Sequence, residues 1–72
     1  MTRELPIRGD VIRLGQLLKL AGVVDAGGDV KRFLAGNEVL VNGEAEERRG
    51  RQLHPGDEVR VAGEVVRLIA PG

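Results

Sequence analysis

Apolar residues along this chain change their spacing near Glu38, and the change divides it into two parts. In the first part Leu14, Leu17, Leu18 and Ala21 recur at i, i+3, i+4 and i+7, the stripe of an amphipathic helix of about two turns. Arg13, Gln16 and Lys19 lie off that stripe, and Gly22 suits the position after the helix end. The stretch Asp25-Ala26-Gly27-Gly28-Asp29 then breaks the pattern and carries helix-start chemistry. Asp25 is a candidate cap, and Asp29 favours a first turn through the helix dipole. Val30, Phe33 and Leu34 mark a second short helix, with Lys31 and Arg32 on its opposite face and Gly36-Asn37 at its end. Two short helices joined by a tight turn form a helix-turn-helix-like pair.

From Glu38 the period becomes two. Val39 and Val41 alternate with Glu38 and Leu40, which predicts a strand. Asn42-Gly43 is a strong two-residue hairpin signal, and Glu44 to Glu46 supplies the return. Pro55-Gly56-Asp57 reads as a turn, Glu58-Val59-Arg60-Val61 alternates again, and Ala62-Gly63 can make a second two-residue turn into a last strand, Val65 to Ile69. Ahead of Val11, Pro6 and Gly9 sit among mixed charges, so residues 1–10 are expected to form a flexible, frayed N-terminus before one domain over 11–70. The expected fold is α+β: two short N-terminal helices packed on a small antiparallel β-sheet.

Composition narrows what such a fold can do. The 72 residues include no cysteine and one histidine, so neither a disulfide nor a zinc site supports the core. Packing must be aliphatic, with Phe33, the single aromatic residue, expected in the core. No apolar run approaches membrane-spanning length, and the N-terminus lacks a signal-peptide stretch; a soluble cytoplasmic protein is expected. Nucleophile–base pairs, phosphate loops of the required glycine spacing and carboxylate pairs in apolar surroundings are missing from the sequence. A non-catalytic protein without cofactor or metal is therefore expected.

Charge is where the sequence becomes specific. Eleven basic residues balance eleven acidic ones, yet Arg48, Arg49 and Arg51 fall within four positions, between two turns. Guanidinium groups are planar forks matched to phosphate oxygens. The competing reading is a solvated charge run neutralised by Glu44, Glu46 and Glu47. Joined by Arg13, Lys19, Lys31 and Arg32, the loop arginines can build one basic surface on a neutral chain. With a single aromatic, such a surface holds nucleic acid by charge and shape rather than by stacking bases.

Four stretches in order carry a resemblance: Leu14-Gly-Gln-Leu-Leu-Lys-Leu-Ala-Gly, the helix with Lys31-Arg32, Val39-Leu-Val-Asn-Gly-Glu, and Leu53-His-Pro-Gly-Asp-Glu-Val. Together, over about residues 11–69, they resemble the RNA-binding domain named after small-subunit ribosomal protein S-four, also called the αL motif. Glu46-Glu-Arg-Arg-Gly-Arg-Gln-Leu-His-Pro-Gly-Asp is similar to the small stand-alone bacterial proteins built from that domain. The resemblance implies binding of structured RNA, ribosomal or transfer, by a monomer. It implies RNA-binding roles for Arg13, Lys19, Lys31 and Arg32 on the helices, and for Arg48, Arg49 and Arg51 beside the hairpin. The sequence departs from the family's pattern at three places. Gly15 stands where an acidic residue is frequent, Ala26-Gly27-Gly28 where Ser-Arg-Ser is frequent, and Glu47 where the stand-alone proteins tend to have Thr. A carboxylate at 47 repels phosphate unless it orients Arg48 or Arg51.

Two other readings fit parts of the chain. β-Grasp sulfur carriers are this small and share Val-x-Val-Asn-Gly-Glu-like and Gly-Asp-x-Val stretches, but they end in Gly-Gly and open with a long hairpin; this sequence ends Pro71-Gly72 and opens with helical patterns. A protein-interaction module, its arginines meeting acidic side chains, is the third.

Overall fold

The computed structural model describes residues 2–71. Gly72, the residue that carrier chemistry would use, lies outside the described residues, as does Met1 of the expected flexible N-terminus. The elements run β1 (Thr2–Pro6), β2 (Ile12–Arg13), α1 (Leu14–Leu20), α2 (Val30–Gly36), β3 (Leu40–Val41), β4 (Glu44–Ala45), β5 (Gln52–Leu53), β6 (Glu58–Val61) and β7 (Glu64–Ile69). One five-stranded sheet has the order β1-β7-β6-β3-β4, and β2 pairs with β5 in a separate two-stranded piece. The α+β class holds, with two helices on a sheet. Two features of the expected arrangement do not. The helices follow two strands rather than opening the chain, and the sheet is mixed, because β1 runs parallel to β7 from Thr2↔Val65 to Pro6↔Ile69.

Residues 2–6, expected to fray, are thus a paired edge strand. The physical reason is legible once the partner is known. An edge strand buries little, and in β1 only Leu5 is half-buried, so no alternation marks it. Pro6 is tolerated because it closes an edge strand. Ile7, just past it, is 2% exposed, and its N–H donates to the Ile69 carbonyl at 3.1 Å. Arg3 fastens the strand further: its Nη2 donates to the Ala21 carbonyl at 2.7 Å and meets Glu64 at 3.2 Å.

Both helices have seven residues, too short to persist alone, so packing supports them. The first ends as Gly22 suggested. That residue sits at φ +77°, the Gly22 N–H donates to the Lys19 carbonyl, and the Val23 N–H reaches back to Leu18, a Schellman ending. The second starts at Asp29, whose Oδ1 accepts from the Arg32 N–H at 3.1 Å. Leu14, Leu17 and Leu18 of α1 and Val30 and Leu34 of α2 pack with Val41, Val59, Val61, Val66 and Leu68 of the sheet. Leu53 closes this aliphatic core, while Phe33 packs half-buried at its margin.

The turns follow the sequence. Asn42 and Gly43 have φ of 51° and 85°, and Ala62 and Gly63 have 53° and 77°, the two positive values of a type I′ turn. Pro55 and Gly56 occupy the centre of a turn closed by the Asp57 N–H on the His54 carbonyl at 3.0 Å. Asn42 also clamps the sheet: its amide donates to Asp57 Oδ1 at 3.0 Å, and its Oδ1 accepts from the Glu58 N–H at 2.9 Å.

Candidate nucleic-acid interface

The arginine loop is organised from beneath by an acid. Glu46 is 7% exposed, the one buried charged side chain among the described residues. Its Oε2 accepts from the Glu47 and Arg48 N–H groups and from Arg48 Nε, each at 3.1 Å. Its Oε1 accepts from Arg48 Nη2 at 3.3 Å and from Arg51 Nη1 at 2.8 Å. A carboxylate offers about four lone-pair sites, so this one is saturated. The Arg48 guanidinium foremost, then Arg51 and the Arg48 N–H, hold the Glu46 carboxyl at about 2 against the opposing effect of burial. The carboxylate that holds Arg48 and Arg51 is thus Glu46 and not Glu47, which takes part through its backbone N–H.

The same loop caps α1. The Leu14 N–H donates to the Arg51 carbonyl at 2.8 Å and the Gly15 N–H to the Arg49 carbonyl at 2.9 Å. Gln16 Oε1 accepts from the Arg13 N–H at 3.1 Å. Donors that a helix start leaves unsatisfied are thereby taken up. The loop lies close over Gly15: a Cβ there would be in contact with the Arg49 carbonyl oxygen and Val30 Cγ1, each at 3.4 Å.

Two neighbouring clefts share Gly50 of this loop, and the first lies where the loop seats on α1. The first, of about 410 Å³, brings together Arg13, Lys19 and Arg49, with Asp29 its only carboxylate. The second, of about 660 Å³, is lined by Arg48, Arg51, Gln52 and His54, with Asp57 as its acid. Five of the seven expected site residues thus converge. Lys31 and Arg32 are exposed on α2 but line neither cleft; only Val30 and Asp29, at the start of that helix, reach the first. Gln52 and His54, read from sequence as ordinary loop residues, line the second. Acids do occur within the surface: Asp29 and Asp57 line the clefts, and buried Glu46 pairs with Arg48 and Arg51. Among the described residues there is no cluster of His, Cys, Asp or Glu that could hold a metal ion, and no helix long and apolar enough to cross a membrane.

A small α+β domain with a cationic loop docked on the start of its first helix is what the fold and this surface define. The chain belongs to the S4 domain family, whose model matches residues 5–69. The match begins at Leu5, near the end of β1. The chain is also similar to the "Probable ribosome maturation protein RlbA" of Bacillus subtilis (strain 168), 49% identical over 63 residues, which cover 88% of this chain and 89% of that protein. Membership of this family sets aside the β-grasp carrier reading, and β1 and β2 do not form the opening hairpin that reading needs.

Proposed function

We propose that this chain is a non-catalytic, monomeric protein that binds structured RNA, ribosomal RNA first, during ribosome maturation. One observation carries the reading. Arg13, Lys19 and Arg49, from three separate places in the sequence, meet in one cleft beside the Arg48–Arg51 pair. Its net excess of cations arises on a chain of zero formal charge, so the local field attracts a polyanion although the sum does not. The similarity to a ribosome maturation protein supports ribosomal over transfer RNA. Lys31 and Arg32, outside both clefts, supply outlying phosphate contacts.

The test is the salt dependence of binding to deproteinised ribosomal RNA, with transfer RNA in parallel. Each phosphate contact contributes roughly 0.7–0.9 to the slope of log affinity on log salt. Replacing Arg13, Lys19 and Arg49 together by Gln should lower the slope by about 2–3. An unchanged slope refutes the cleft as the phosphate seat. Tighter binding of transfer RNA refutes the ribosomal preference, and equal competition by polyglutamate favours a protein-interaction module.

A further inference from the structure

A carboxylate directly under two arginines is a poor design for merely attracting a polyanion. It removes local positive charge where the ligand is to sit. Glu46 nevertheless occupies that position, 7% exposed and accepting five hydrogen bonds. Two of these come from backbone N–H groups, so the acid fixes the loop's path as well as its side chains. Arg48 is engaged through Nε and Nη2, and Arg51 through Nη1, which leaves each fork with unused donors. The Arg48 side chain is 77% exposed although its inner edge is bound. The loop is also anchored through its backbone, the Arg49 and Arg51 carbonyls accepting from N–H groups at the start of α1.

We infer that Glu46 is the positioning residue of the interface: it converts Arg48 and Arg51 from independent mobile charges into a fixed pair of forks, and so selects RNA whose phosphates are held at a set spacing over flexible strands. This rests on the RNA-binding reading above and adds its source of selectivity. A side chain whose rotamer is locked by a supporting shell loses less freedom on binding, but only a ligand of matching geometry benefits. A flexible strand gains little from the fixed pair and loses by the buried negative charge. Glu46 stays charged throughout the neutral range, so the device is permanently set.

The two roles open to Glu46 predict opposite signs, which makes the experiment decisive. Affinities for deproteinised ribosomal RNA and for polyuridylate are measured at one salt concentration, and their ratio is the readout. In Glu46→Gln one negative charge is gone, so polyuridylate should bind more tightly, whereas ribosomal RNA should bind more weakly, with the ratio falling about tenfold. Arg48→Lys keeps the charge and loses the fork, on an exposed side chain whose replacement leaves the core untouched. It should lower the ratio in the same direction, which keeps the test valid if the Gln variant folds poorly. Equal tightening of both RNAs in Glu46→Gln, or a wild-type ratio in Arg48→Lys, overturns the inference while leaving RNA binding intact. A wild-type protein that binds neither RNA removes the functional reading itself, and this inference with it.

Discussion

Acid should reveal how much stability Glu46 contributes to the fold. Its carboxyl is held at about 2 rather than the ordinary 4.5. Each unit of such a difference corresponds to about 1.4 kcal/mol, so the full difference sets a ceiling of about 3.5 kcal/mol. Arg48, the larger contributor, lies mostly in solvent, and screening there reduces the expected contribution to about 1–2 kcal/mol. Because the folded value lies below the unfolded one, this stability is present in full above pH 4.5 and is lost as pH falls towards about 2. Glu46→Gln should therefore be less stable than the parent by about 1–2 kcal/mol at neutral pH. The gap should close between pH 4.5 and about 2. With one Phe and neither Trp nor Tyr, the assay is urea unfolding followed by far-ultraviolet circular dichroism. Comparing the two proteins at each pH cancels Asp57, whose carboxyl is also held below its ordinary range. A gap that stays constant across this acid range refutes the argument.

Two further predictions concern the turns. Ala62 sits at φ 53°, where only glycine and asparagine are comfortable, so Ala62→Gly should stabilise the protein by about 0.5–1 kcal/mol and raise its thermal midpoint by several degrees. Asn42→Ala removes the two side-chain hydrogen bonds to Asp57 and Glu58 and leaves Ala at φ 51°; a loss of about 2 kcal/mol is expected, read as a thermal midpoint lower by roughly 10 °C.

What could be read from the sequence was local. Both helices, the Asn42-Gly43 and Ala62-Gly63 turns and the strands around Val41, Val59 and Val66 follow from spacing or from residues that tolerate positive φ. β1 was not legible, because Thr2 to Pro6 carries little apolar alternation and its partner is the last strand of the chain. The site divides in the same way. The arginine run announces an exposed cationic loop, and charge alone groups it with Arg13 and Lys19. Which cations share a cleft depends on how the loop seats on α1, a contact made through carbonyl oxygens that no residue type signals. Glu46 was visible as an acid among acids; nothing in Glu44, Glu46 and Glu47 says which one turns inward. The spacing to Arg48 and Arg51 is the one available hint, and it becomes specific only when the return of β4 points position 46 beneath the loop.

The parallel pairing of β1 with β7 has a temporal consequence. Among the described strands synthesis delivers β1 first, yet its hydrogen-bonding partner is β7, the last of them. Helices and hairpins can assemble from neighbours as they emerge, but this outer ladder closes the longest loop in the molecule and must wait for it.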